Sequence, residues 1–196
     1  MKLPGVRRLV RLKTVSSTQS AARRLAEQGA PAGTLVWALE QTAGRGRMGR
    51  RWRSRTGGLY VSWLLRPKFA PARLADFSLA CGAAAAAALH EAAGIETSVK
   101  PPNDVLALCA DGKLRKVCGI LCEASGGSDS LDWLVVGVGV TVNNEPPLRR
   151  STSLRALTGR RMELPVVLGA LMRRLARRTP HKRATFSAPA GRGRLS

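Results

Sequence analysis

Gln41-Thr42-Ala43-Gly44-Arg45-Gly46-Arg47-Met48-Gly49-Arg50-Arg51-Trp52 is the stretch from which the rest of the chain is best read. Glycines at 44, 46 and 49 let the backbone bend and come close to a ligand. Exposed amides in such a loop can cradle an anion, and the arginines offer fork-shaped donors to phosphate or carboxylate. A loop so charged repels itself when empty, which predicts that an anion orders it. Glycine and arginine alone leave a second reading open: a solvated basic loop, or an RG-rich segment that touches RNA.

The flanks of the loop set its context. Upstream, residues 6–15 and 34–39 read as strands. Between them Ser16-Ser17-Thr18 offers hydroxyl caps to a helix over 20–28, which Gly29 stops. Downstream, residues 59–65 read as a buried strand and 71–94, rich in Ala and Leu, as a long helix. Short strands follow at 97–100 and 105–108 around a Pro-Pro-Asn-Asp corner, then strands at 117–123 and 133–142 and a basic amphipathic helix over 164–178. Several strand pairs are joined by tight turns. This order predicts an α+β fold, a mixed and mostly antiparallel sheet with helices packed on it. Residues 1–178 are expected to form one domain. Residues 179–196, dominated by Pro, Gly, Ser and Arg, are expected to be a basic disordered tail.

The chain has 196 residues, with 33 Lys and Arg against 12 Asp and Glu, for a formal net charge of +21. That excess excludes an acidic solvating protein and favours an anionic partner. The charge is uneven: residues 1–66 carry +12, residues 67–148 carry −3 and residues 149–196 carry +12. The longest apolar stretch, residues 79–89, is too short to span a membrane and reads as a buried helix. No apolar signal-peptide core follows Met1, so a cytoplasmic location and no membrane partner are expected. Cys81, Cys109, Cys118 and Cys122 lack the spacing of a disulfide framework or a zinc site and read as small buried residues.

The loop and its surroundings resemble the biotin protein ligase family, whose signature is a GRGRxGRxW loop followed by a glycine pair and a strand. Here the loop is Gly44 to Trp52, followed by Gly57-Gly58-Leu59-Tyr60. Further segments agree in the family's order. Ser17-Thr18-Gln19 matches an STN-type element, and Lys100-Pro101-Pro102-Asn103-Asp104 matches a KWPND element. Lys116-Val117-Cys118-Gly119-Ile120-Leu121-Cys122-Glu123 matches K-x-x-G-I-L-x-E, and Gly137-Val138-Gly139-Val140-Thr141-Val142 resembles G-x-G-I-N-V. The resemblance runs from about residue 10 to about residue 178. It implies the class II aminoacyl-tRNA synthetase/biotin ligase-like architecture and a two-step reaction. Biotin and ATP give biotinyl-5′-adenylate and pyrophosphate. A lysine of a biotin carboxyl carrier domain then attacks the adenylate.

The roles that the resemblance implies follow the matching positions. Ser17, Thr18, Gln19 and Gln41 would hold the ureido head of biotin, which needs both donors and acceptors. Gly44, Arg45, Gly46 and Arg47 would wrap the carboxylate and the new phosphate, and Lys116 would meet the carboxylate at the point of attack. Arg47 and Lys116 are the expected catalytic pair, because two anions must be brought together. Gly119, Gly137 and Gly139 would leave room along the strands. Arg50, Trp52, Lys100, Asn103, Asp104 and Thr141 would serve ATP, with Trp52 against adenine. No cluster of protein ligands for a metal is evident, and Mg²⁺ is expected to arrive with ATP. Plain alternatives remain for single residues: Ser17 and Thr18 as helix caps, Asn103-Asp104 as a turn, Glu123 as a partner for an arginine.

Two positions depart from the family pattern. Pro101 replaces a Trp, removing roughly 150–250 Å² of aromatic surface. Thr141 replaces an Asn and loses an amide's two donors. Both bear on ATP more than on biotin. Neither a helix-turn-helix segment nor a C-terminal SH3-like barrel is read in the sequence, so no DNA-binding domain is expected and turnover is expected to be reduced. Members of the family often pair through a sheet edge, which leaves a homodimer open. The competing readings are an inactive biotin-binding remnant, a lipoate or octanoate transferase, and a basic nucleic-acid-binding protein. The last is disfavoured by a single Tyr and 4% aromatic residues.

Overall fold

Apolar strands flanked by turn residues build one seven-stranded sheet in the computed structural model, which describes residues 2–146 and 148–178. The tail expected over 179–196 lies outside the described residues. The strands are β1 (Arg8–Val15), β2 (Thr34–Gln41), β3 (Leu59–Leu65), β4 (Thr97–Lys100), β5 (Asp104–Leu108), β6 (Leu114–Gly126) and β7 (Leu131–Val140). Their spatial order is β1-β2-β3-β7-β6-β5-β4. Only β1 and β2 pair in parallel; every other neighbour is antiparallel, giving the expected mixed, mostly antiparallel sheet. The parallel pair needs a crossover. Helix α1 (Thr18–Glu27) supplies it, two residues earlier than its apolar pattern suggests because Ser17 caps it.

The two faces of the sheet are covered differently. Ala22 and Ala26 of α1 pack on Val36, Leu64 and Val135, small side chains that let the helix sit close. The other face carries α2 (Leu74–Ala93) and α4 (Leu164–Ala176) over the main core. Helix α2 is long and apolar enough to cross a membrane by length and composition. Here it buries Phe77, Cys81, Ala85 and Leu89 in that core. Glu91 on α2 ties the two helices together, 2.8 Å from Arg173 and 2.6 Å from Arg174 on α4. Those donors hold the Glu91 carboxyl below its usual value. Cys118 is also in the core, and burial pushes its thiol up to about 12. Helix α3 (Leu154–Thr158) is a turn that the sequence reading did not anticipate.

Register brings the distant motifs together on the α1 face. Alternate strand residues share a face. One row across the sheet therefore runs Ala38, Tyr60, Gly139, Gly119, Asp104 and Lys100, each paired with the next. The adjoining row runs Val36, Ser62, Gly137 and Leu121. Glycines on neighbouring strands make a floor with no side chains of its own near the N-terminal end of α1, and the Gln19 and Trp52 side chains lie over it.

Candidate functional site

Above that floor lies a groove of about 1060 Å³. Every expected site residue lines it except Gly44. Gly44 lies behind the wall, where a Cβ would stand 2.4 Å from the Trp52 carbonyl oxygen. Close packing, not lining, requires glycine at that position.

The inner end is a buried polar network. Thr18 donates its backbone N–H (2.7 Å) and its hydroxyl (3.0 Å) to Gln41 Oε1, and Gln41 Nε2 donates to Ser54 Oγ at 2.7 Å. Ser54 Oγ donates to the Trp52 carbonyl at 3.1 Å. Below them Ser62 Oγ lies 3.0 Å from both Thr18 Oγ1 and Gln19 Oε1. Gln19 spends its amide hydrogens on the Val135 (3.2 Å) and Leu121 (3.4 Å) carbonyls. Ser17 caps α1, the plain reading of its hydroxyl, and also lines the groove. Thr18 fixes which way the Gln41 amide points, because a reversed amide would set NH₂ against a backbone N–H. One Gln41 N–H and lone pairs on the hydroxyls remain for a ligand. That mixed set of donor and acceptors suits a small cyclic amide or urea.

The arginine loop crosses the groove from β2. Its arms are joined by Gly46 N–H to Arg50 O (2.7 Å) and Trp52 N–H to Gly44 O (2.9 Å). Arg45 reaches Glu123 at 2.8 Å, the pairing anticipated for that glutamate, and Arg47 donates to Asn103 Oδ1 at 3.3 Å. These contacts span from the loop to β6 and to the Pro-Pro-Asn-Asp corner. Lys116 Nζ lies 2.6 Å from Asp104 Oδ1 and 4.9 Å from the centre of the Trp52 ring. Trp52, expected beside adenine, lies on the floor glycines: a Cβ at Gly139 would stand 2.6 Å from its Nε1, and one at Gly119 2.9 Å from its ring. The ring thus stands with the residues expected for biotin. Lys100, Asn103, Asp104 and Thr141 line the other end, and Arg50 lies along the loop. Pro101, where the family has Trp, is exposed at the turn between β4 and β5 and does not line the groove. Thr141 is buried and its N–H donates to the Val117 carbonyl at 2.9 Å.

The sequence reading missed several lining residues. Ser62 is one; a lone small polar residue in the run of β3 was the available signal. Arg149, Arg150 and Ser151 are others. The segment after β7 folds back along the start of β6, with Lys116 N–H on Arg150 O and Thr152 N–H on Lys116 O, both 2.9 Å. Part of the C-terminal positive charge, which had no assigned place, therefore faces the groove. Eleven basic residues and one carboxylate, Asp104, line it. Among the described residues no three His, Cys, Asp or Glu gather in a way that could hold a metal ion.

Residues 12–141 match the Biotin/lipoate A/B protein ligase family. The chain belongs to that family. The bifunctional ligase/repressor BirA of Bacillus subtilis is 43% identical over 133 residues, 67% of this chain and 39% of the relative. A biotin–[acetyl-CoA-carboxylase] ligase of Paracoccus denitrificans is 36% identical over 141 residues, 69% of this chain and 55% of the relative. The chain thus spans between about two fifths and just over half of these two relatives. The biotin protein ligase of Aquifex aeolicus, solved with biotin and ATP, superposes with a TM-score of 0.74 at 38% identity. That match covers 88% of this chain and 70% of the Aquifex chain. The resemblance read from the motifs and the fold class expected from it therefore hold: this is a biotin protein ligase-family catalytic domain on an α+β scaffold.

Proposed function

We propose that this ligase-family domain activates biotin with MgATP to biotinyl-5′-adenylate and transfers the biotinyl group to a lysine of a biotin carboxyl carrier domain. The observation that carries the proposal is the juxtaposition, in one groove, of a buried amide–hydroxyl network suited to a urea and a wall of eleven cations suited to a triphosphate. The names of its relatives supply the substrate class.

In this reading the ureido ring sits among Ser17, Thr18 and Gln41, and the valeryl chain runs along the Trp52 ring, which itself covers Gly139 and Gly119. The biotin carboxylate then points towards Lys116 and Arg47. A carboxylate oxygen attacks the α-phosphorus and the bond to the β-phosphate oxygen breaks, releasing pyrophosphate. Lys116 and Arg47 offset the repulsion between the two anions and the charge that builds on the phosphoryl oxygens. Asp104 holds the Lys116 ammonium in place from the next strand. In the second step the carrier lysine amine attacks the biotinyl carbonyl, an amide forms and AMP leaves with the bonding pair. Mg²⁺ enters as part of the nucleotide substrate, bound largely by phosphate and water.

Incubation with biotin, Mg²⁺ and α-labelled ATP tests the proposal. Labelled biotinyl-adenylate is expected, and Arg47→Ala and Lys116→Ala are each expected to cut its rate about 10²-fold. Adenylation of lipoate but not biotin would overturn the substrate. Biotin binding with no adenylate would reduce the domain to a binding remnant.

A further inference from the structure

Ser54 belongs to none of the ligand-matching motifs, yet it stands where the return arm of the arginine loop meets the buried polar network. It is 4% exposed. Its backbone carbonyl accepts from Gln41 N–H at 3.0 Å. Its hydroxyl accepts from Gln41 Nε2 at 2.7 Å and gives its own proton to the Trp52 carbonyl at 3.1 Å. The chain of donors runs one way, from Gln41 through Ser54 to the loop backbone. At the other end Gln41 Oε1 is held by the Thr18 N–H. Gly44 makes room for the arrangement: a Cβ there would stand 2.7 Å from Ser54 Oγ and 3.0 Å from Gln41 Nε2.

We infer that Ser54 is a positioning residue for biotin: its hydroxyl locks the Gln41 amide and joins the ligand-facing donor to the arm of the arginine loop that carries Trp52. The inference rests on the proposed function and deepens it. Without the hydroxyl, an N–H of the half-buried Gln41 amide and the Trp52 carbonyl each lose a partner. The amide keeps its Thr18 anchor at Oε1 but loses the one at Nε2, and the side-chain link from Gln41 to the return arm of the loop is gone.

The test is a double-mutant cycle on Ser54 and Gln41, read by calorimetric biotin binding and by adenylate formation. Ser54→Ala is expected to weaken biotin binding about tenfold and to raise KM for biotin in step, with little change in kcat at saturating biotin. In a Gln41→Ala background the same substitution is expected to cost nothing further, because its effect passes through Gln41. A purely structural role would instead give additive losses. Ser54→Cys keeps the volume and weakens the hydrogen bonds, and it carries the same cycle if Ser54→Ala does not fold. Wild type that binds biotin beside a Ser54 variant that binds equally well, or additive losses in the cycle, would overturn the role of Ser54 and leave the proposed function standing. Wild type that binds no biotin would overturn both.

Discussion

A methyl group at position 137 would stand 2.4 Å from Gln19 Oε1. Gln19 cannot turn away cheaply: it is buried, and its amide hydrogens are spent on two backbone carbonyls. Gly137→Ala is therefore an overpacking change that also disturbs the hydroxyls of Ser62 and Thr18. It is expected to lower stability by about 1–3 kcal/mol and to weaken biotin binding. Urea unfolding and calorimetry check the two effects. Gly127, with nothing within 4 Å of a built Cβ, is the control; its change to Ala is expected within about 0.5 kcal/mol of wild type. At this scale the motifs named most of the groove's residues because each carries unusual chemistry for its place. Ser54 and Ser62 escaped, since a serine's hydrogen bonds are set by what lies opposite, and both partners are remote or in the neighbouring arm.

Among the elements, β3 and β4 take the bounds that the sequence suggests. Strand β6 outgrows its apolar run at both ends. Neighbours on each side supply ladder partners for Arg115 and Lys116 and for Ala124 and Ser125, and pairing overrides composition there. Helix α3 has five residues, too few for a period to register. Its marks were the caps: Ser153 accepts from Ala156 N–H at 3.1 Å, and Gly159 closes it with φ 72°. The link between α2 and α4 gives a prediction in pH. Glu91 sits below its usual 4.5 through hydrogen bonds from Arg173 and Arg174. A carboxyl with a depressed folded value contributes stability that is complete above 4.5 and disappears as pH falls through the folded value. Glu91→Gln is expected to lower Tm near neutral pH. The gap to wild type should close progressively below pH 4.5. A gap unchanged from neutral to strongly acid pH would show that the carboxylate charge is not what joins the helices.

Across the whole molecule, the net charge of +21 acquires a distribution that sequence alone could not supply. The resemblance of their motif to the ligase family places the loop arginines at an anion. Arg149 and Arg150 could not be placed so, because their place depends on the segment after β7 folding back along β6. Other C-terminal cations have local work, as Arg173 and Arg174 do on Glu91. The eleven cations of the groove outnumber the carboxylates that pair with them, Asp104 on Lys116, Glu123 on Arg45 and Asp111 on Arg115, so the field there is positive and reaches about a Debye length into solvent, about 10 Å at 0.1 M salt. An anionic substrate is drawn in proportion to its charge. Biotin carries one negative charge, while MgATP carries more and, in the proposed function, meets more of the wall. Raising NaCl from about 0.05 to about 0.5 M, which shortens the screening length to a few ångströms, is therefore expected to raise KM for MgATP several-fold and KM for biotin much less. The hydrogen bonds proposed for the ureido ring would be insensitive to screening. Parallel rises in the two constants would mean that the cations act on both substrates alike, and the division of the groove into a hydrogen-bonding end and a phosphate-binding wall would have to be abandoned.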